Sequence, residues 1–191
     1  MIGIIDESTP WLTTDRTRVL YALALVIVAD PTDIAARVTA RLNRARPFHW
    51  ESDTGPNVRR HLIDELAAVN GGTVLAAATC TPPGQTATRR ELLQRHLMPV
   101  AAELGVIGLV IERRSQRENE HDTRAIRDWV RSEQLSWRPS ISHVGKDDPL
   151  TWLADAAAGV WSDTLLQRSN GHIETLVGAR TVRHAAWHPD W

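Results

Sequence analysis

Two apolar runs near the amino terminus, followed by a regular alternation of strand and helix patterns, limit most strongly what this chain can fold into. The first run covers residues 2–5 and the second covers residues 19–29, with the turn-type residues Thr9, Pro10 and Asp15 between them. We interpret these runs as two neighbouring antiparallel strands. With 191 residues, the chain can bury one sizeable core and is too short for two comfortable domains.

The rest of the chain alternates between the two kinds of pattern. Asp30-Pro31 is typical of a helix start, and apolar residues recur at helical spacing from Ile34 to about Arg44. Further strands are predicted over 73–80, 106–111 and 137–144, and further helices over 58–69, 88–104, around 126–130 and from 149 to about 168. An antiparallel start followed by this alternation predicts an α/β fold with a mixed five-stranded sheet, parallel in its later strands and flanked by helices. We assign residues 1–170 to this domain and 171–191 to a tail that packs on it or extends it.

Composition and charge indicate the class of protein and the cellular compartment that we expect. No apolar stretch approaches the roughly 20 residues of a membrane span, so we expect a soluble protein with no membrane partner. Asp6 and Glu7 interrupt the first apolar run, which argues against a secretory signal. The single Cys80 excludes an internal disulfide and fits a reducing cytoplasm. The net charge of −1 predicts that any basic, nucleic-acid-binding surface is local.

Three acidic residues occupy positions that point to chemistry. Asp6 and Glu112 each follow an apolar strand, and Asp155 lies on the flank of the apolar stripe of the last long helix. If the two strands are neighbours, their terminal carboxylates converge, and such carboxylates repel unless a proton or a cation lies between them. Hard oxygen ligands favour Mg²⁺ or Mn²⁺, and two such ions could clamp the attacking and leaving oxygens of a phosphodiester.

The same acids belong to a series of motifs that occurs in a recognisable order. The series is the opening Asp6-Glu7-Ser8, the His49 segment before a helix, the strand ending at Glu112, and Lys146-Asp147-Asp148 followed by Ala154-Asp155. Over residues 2–167 it resembles a bacterial family of domains of unknown function, number thirty-eight hundred, whose predicted fold is similar to RNase H. The resemblance implies an RNase H-like fold. The chain departs from the family at Glu112, where Asp is frequent, and at Trp152, where Gln is common.

The resemblance also implies roles for individual residues. It implies Asp6, Glu112 and Asp155 as metal ligands in a two-metal scheme, with Glu7 and Glu51 as candidates for a fourth ligand. Taken alone, Glu112 fits a solvated turn better than a ligand, and Glu7 or Glu51 could equally be a cap or face solvent.

Further residues are candidates for handling a nucleic acid. His49 could orient a phosphate or transfer a proton, and Lys146 could neutralise a phosphate near the metals. Trp50 is the better candidate among the tryptophans for stacking on bases. Three arginines at helical spacing could contact a phosphate backbone; they are Arg37, Arg41 and Arg44. An arginine-rich composition, however, also places arginine on solvated helix faces.

These observations support more than one function. The first hypothesis is a metal-dependent, RNase H-like nuclease that acts on DNA or RNA, in a defence or mobile-element context that the resemblance suggests. The alternatives are a catalytically silent binding or assembly module with the same fold, and a toxin-like effector that needs a partner protein. The oligomeric state is open, with a homodimer among the alternatives. His184 and His188 would share a helix face, but the sequence offers no third ligand that would make them a metal site.

Overall fold

A mixed sheet of six strands forms the centre of the molecule. The computed structural model describes residues 1–42, 47–53, 55–168 and 171–189. The strands stand in the order β5-β4-β1-β2-β3-β6. Their bounds are β1 (Ile2–Ser8), β2 (Val19–Val28), β3 (Gly72–Cys80), β4 (Gly108–Glu112), β5 (Ser140–Val144) and β6 (Val182–His188).

The pairing pattern confirms the predicted fold class. Strand β2 is antiparallel to both β1 and β3, whereas β1 with β4, β4 with β5 and β3 with β6 are parallel pairs. The sheet has six strands rather than five, because the tail contributes β6 beside β3. An edge strand buries little more than one face, and the mixture of Ala, Trp, Arg and His in β6 therefore shows only a weak apolar pattern.

Seven helices among the described residues cover the two faces of the sheet. They are α1 (Pro31–Leu42), α2 (Pro56–Ala67), α3 (Gln85–Leu92), α4 (Met98–Glu103), α5 (Gln116–Ser132), α6 (Pro149–Leu165) and α7 (His172–Gly178). The helix predicted over 88–104 is interrupted by a π-helical turn, Leu93–Leu97. This break fits Pro99, which has no N–H to donate to the carbonyl of residue 95. The predicted helix end near Arg44 lies outside the described residues.

Two apolar cores explain why the central strands are so hydrophobic. On the face that we call the front, Ile4 and Val26 pack with residues of α1, α2, α6 and α7. On the back, Ile5 and Leu25 pack with residues of α3, the π-helical turn, α4 and α5. Every residue of β2 is buried, and the strand accordingly reads as one continuous apolar run. No helix in the described ranges is long and apolar enough to cross a membrane.

Helix α6 lies directly on the front face and positions part of the candidate site. Its start is capped by Asp148, whose Oδ1 accepts a 2.9 Å hydrogen bond from the Leu150 N–H. The small residues 154–159 are all buried and allow the helix to approach the sheet closely. Helix α6 packs alongside β1, and the Ser162 hydroxyl hydrogen-bonds the Ser8 hydroxyl at 3.2 Å. This alignment places Asp155 near Asp6.

Candidate functional site

Three carboxylates from separate elements meet at the front of the sheet. Asp6 lies on β1 and Glu112 ends β4; these strands are parallel neighbours, with Ile5 opposite Ile111. The predicted convergence of the two carboxylates is therefore present, because Glu112 is close enough to raise the pKa of Asp6. Asp155 of α6 faces them, close enough for its charge to act on Asp6. We call Asp6, Glu112 and Asp155 the acidic cluster.

The two aspartates are almost fully buried and are held by backbone donors. Asp6 is 4% exposed and Asp155 is 7% exposed. The Glu7 N–H donates a 2.8 Å hydrogen bond to Asp6 Oδ1, and the Trp50 N–H donates one of the same length to Asp155 Oδ2. The loop before α2 thereby fixes the Asp155 carboxylate in place.

Burial and mutual repulsion make the cluster electrostatically unfavourable. Burial, followed by the charges of Asp155 and Glu112, raises the pKa of Asp6 well above its ordinary value. Burial also raises the pKa of Asp155 to about 6, even though the hydrogen bond from the Trp50 N–H acts in the opposite direction. The cluster therefore gains from any cation that enters it.

Lys146 supplies one such positive charge. Its Nζ lies 3.0 Å from Glu112 Oε1. Partial burial alone would lower the pKa of Lys146, but the hydrogen bond and charge of Glu112 outweigh this and raise it. The charges of Asp6 and Asp155 act in the same direction. One ammonium among three carboxylates leaves the cluster with excess negative charge whenever all three are ionised.

The chemistry of the donors fits a hard divalent cation, but their placement is incomplete. Three carboxylates are the kind of ligand set that Mg²⁺ and Mn²⁺ prefer. Within the described ranges, however, no group of three or more His, Cys, Asp or Glu side chains is placed to hold a metal ion. Asp6, Glu112 and Asp155 are the residues that would hold such an ion, and Lys146 competes with it for Glu112.

The structure brings His49 to the acidic cluster but not Glu51 or Glu7. The charge of His49 acts on Asp155, and its backbone N–H donates to Asp53 at 2.9 Å. Glu51 is exposed and lines a groove beyond Trp50.

Glu7 points to the back of the sheet, because successive side chains of a strand alternate between faces. There its carboxylate pairs with Arg89 and lies 3.5 Å from Arg114. Asp122 accepts from both arginines and completes this buried ionic network. The structure thus gives Glu7 partners other than the acidic cluster.

The prediction that Trp50 stacks on bases is wrong. Trp50 is 2% exposed, and its ring packs edge-to-face against Phe48 and lies against Gly159 of α6. Its Nε1 donates a 2.8 Å hydrogen bond to Asp163, and the Arg59 guanidinium lies 4.3 Å from the ring centroid. Trp50 is a buried anchor between the loop and α6, which leaves no ring face for a base.

The predicted arginine line makes local ion pairs. Arg37 bonds Asp33 at 2.6 Å and Glu65 at 2.9 Å, and Arg41 lies 3.1 Å from Glu65. Glu65 is nearly buried, so both arginines serve to neutralise it. Arg44 lies outside the described residues. Binding of a nucleic-acid backbone by Arg37 and Arg41 stays a prediction.

Two grooves are lined by neighbours of the acidic cluster, one by the residues on either side of Lys146 and the other by Trp50, and the sequence did not indicate either of them. One groove of about 810 Å³ is lined by residues of α1 and of the loop after β5, together with Arg113. The other, of about 720 Å³, is lined by Trp11, Arg59 and Arg168. Trp11 is 41% exposed and is a stacking candidate in place of Trp50. Exposure separates the two tryptophans, and their sequence surroundings do not reveal it.

Comparisons with known proteins give structural likenesses only. No protein-family model matches the chain, so the resemblance to the domain family has no support from that comparison, and no curated protein matches. A chain of the PCNA:RNase HII complex from Archaeoglobus fulgidus is similar, with 14% identity, a TM-score of 0.48, and 88% of this chain and 74% of that chain covered. A mutant protein of Bst-RNase HIII is similar with 12% identity, a TM-score of 0.49, and 93% of this chain and 55% of that chain covered. At this degree of likeness the activities of those proteins do not carry over.

Proposed function

We propose that this chain is a metal-dependent nuclease of RNase H-like type, which hydrolyses phosphodiester bonds of DNA or RNA at the acidic cluster. The observation that carries the proposal is the convergence of Asp6, Glu112 and Asp155 in a nearly buried site with unbalanced negative charge. Burying charges in this way is costly and therefore calls for a function. Structural ion pairs satisfy the other buried acids, such as Glu65 and Asp122.

The residues of the site divide into two roles. Asp6, Glu112 and Asp155 would hold Mg²⁺ or Mn²⁺. Calorimetry would give the number of bound ions, which a two-metal scheme predicts to be two. When bound, such ions supply Lewis-acid stabilisation of the negative charge that develops on a phosphate. Lys146, beside Glu112, would neutralise a phosphate oxygen, and His49, whose charge acts on Asp155, would orient a phosphate or move a proton.

The grooves near the acidic cluster carry charges of both signs. One groove is lined by the residues on either side of Lys146, and the other by Trp50. Arg113 lines the first groove with Asp147 and Asp148, and Arg168 lines the second with Glu51 and Asp163. The two arginines are the residues in these grooves that would contact the phosphates of a nucleic acid.

A catalytically silent binding module is the second candidate. The observation that favours it is the Lys146 ammonium at 3.0 Å from Glu112, because an internal cation can replace a bound ion permanently. The absence of a ready ligand group among the described side chains points in the same direction. Metal binding separates the two candidates.

The test combines calorimetry and cleavage on matched variants. Mn²⁺ and Mg²⁺ are titrated into the wild type, Asp6→Asn and the control Glu103→Gln, which makes the same loss of charge at an exposed position on α4. Labelled single-stranded, duplex and hybrid substrates are then offered to all three proteins. The nuclease predicts binding and cleavage in the wild type and the control, both lost in Asp6→Asn. A wild type that binds no metal would favour the silent module.

A further inference from the structure

Three histidines form a chain of contacts at the opposite side of the sheet from the acidic cluster. His96 lies in the π-helical turn, and His184 and His188 lie on β6. His96 Nδ1 is 3.0 Å from His184 Nε2, and His96 Nε2 is 2.9 Å from His188 Nε2. The ring centroids are 5.2 Å and 5.0 Å apart in the two contacts. We call His96, His184 and His188 the histidine chain.

The arrangement follows from strand geometry. Residues four apart on a strand face the same side, and the two β6 histidines therefore both point to the back, where the π-helical turn packs. The two ring nitrogens of His96 face different partners, and the rings consequently form a chain rather than a common ligand shell for one ion.

Proton counting limits the charge that this chain can carry. A nitrogen-to-nitrogen hydrogen bond needs one proton between its two atoms, and a neutral imidazole has one N–H and one acceptor nitrogen. Three neutral rings satisfy both contacts, since His96 can donate at one nitrogen and accept at the other. One additional proton is also accommodated. With two, at least one contact has hydrogens on both nitrogens, and the two cations repel as well.

Besides the two partner histidines, the charge of Arg95 acts on His96 and disfavours its protonation. Arg95, on the same turn, adds positive charge and pairs with Glu91 at 2.7 Å. Cys80 of β3 stays a neutral thiol, because burial raises its pKa. The charge of Arg95 therefore adds to the repulsion that a second extra proton would meet.

We propose that the histidine chain is a pH-sensitive latch, which holds β6 against the π-helical turn at neutral pH and releases it on acidification. The latch acts on an edge strand, whose ladder to β3 runs along one side only. Release would expose the edge of β3 and the apolar back-face residues that β6 covers. The proposal is independent of the acidic cluster.

The direction and size of the effect follow from His96. Burial, followed by the charges of His184 and His188, lowers the pKa of His96 to about 4. A released His96 returns to about 6.5. The histidine chain therefore stabilises the closed position of β6 fully above pH 6.5, and this stabilisation decreases as the pH falls from 6.5 towards 4. Between pH 8 and pH 5 the opening equilibrium of β6 should rise by on the order of 30-fold, or less to the extent that solvent screens the half-buried ring.

The test is amide hydrogen exchange of the full chain at pH 8, 6.5 and 5, corrected for the intrinsic pH dependence of exchange. We expect the opening of β6 to rise with acid while the amides of β1 and β4 stay protected, and we expect His96→Phe to flatten the dependence. His61→Gln on α2 is the matched control and should behave as the wild type. If His96→Phe does not fold, His184→Gln, which removes one contact, should weaken the dependence. A rise of equal size across the whole sheet, or one unchanged in the His96 and His184 variants, would overturn the latch.

Discussion

Replacing Asp155 by Asn should make the protein more stable while it removes a proposed metal ligand. Asn has nearly the shape of Asp, and its side-chain oxygen can still accept the hydrogen bond from the Trp50 N–H. The substitution therefore changes mainly the charge, which lies in a nearly buried position next to Asp6 and Glu112. Functional acids held together against their repulsion commonly cost stability.

The magnitude follows from the pKa of Asp155. Its value of about 6, compared with an ordinary value of 3.8, means that the folded protein disfavours the ionised carboxylate. At 1.36 kcal/mol for each pH unit, the difference corresponds to about 3 kcal/mol. A group whose folded pKa is raised destabilises the fold above that pKa, and the penalty disappears as the pH falls from 6 to 3.8. The free energy of unfolding of Asp155→Asn should thus exceed that of the wild type by up to about 3 kcal/mol at pH 8 and by almost nothing near pH 4.

Urea unfolding in the presence of a chelator, followed by tryptophan fluorescence at several pH values, measures this gain. Asp163→Asn is the matched control, because Asp163 lies on the same helix and also accepts a hydrogen bond from Trp50. Its partner Arg59, at 3.8 Å, balances its charge, so the control should not gain stability. A free energy of unfolding for Asp155→Asn that is unchanged, or raised equally at pH 8 and pH 4, would refute the electrostatic reasoning. Added Mn²⁺ should stabilise the wild type and leave Asp155→Asn unaffected.

Three further substitutions test other parts of the structure. Lys146→Met should tighten Mn²⁺ binding by about tenfold in calorimetry, because it removes the ammonium that competes for Glu112. Weaker binding in this variant would show that the lysine instead orders the ligands. Arg89→Met should lower the free energy of unfolding by about 3–5 kcal/mol, since it leaves the buried carboxylates of Glu7 and Asp122 without their main counter-charge. An unchanged free energy of unfolding in urea would contradict this reasoning. Gly159→Ala should cost about 1–3 kcal/mol, because the added carbon would lie 2.1 Å from Trp50 Cγ; the stabilisation typical of an exposed helical position would show that the indole can move.

The candidate site was partly visible in the sequence. Asp6 and Glu112 could be placed because each follows an apolar run, and the carboxyl ends of neighbouring parallel strands lie at the same end of a sheet. Asp155 could be placed because helical spacing puts it beside a buried stripe. The alternation of the strand also separates Asp6 from Glu7, but the partners of Glu7 come from α3 and the loop before α5, at least 82 residues away. Such long-range pairs leave no local pattern.

Over residues 1–168, local chemistry by itself determined the order of strands and helices, the antiparallel start and most helix ends, since periodicity, caps and turn residues act within a few positions. The tail, with α7 and β6, carried no such readable pattern. Only the tertiary structure decided which polar residues are satisfied by distant partners. It buried Trp50, placed Lys146 among the acids, neutralised Arg37 and Arg41 with Glu65, and joined His96 to β6. Burial and ion pairing depend on where remote segments pack, and a single sequence encodes that only through the whole fold.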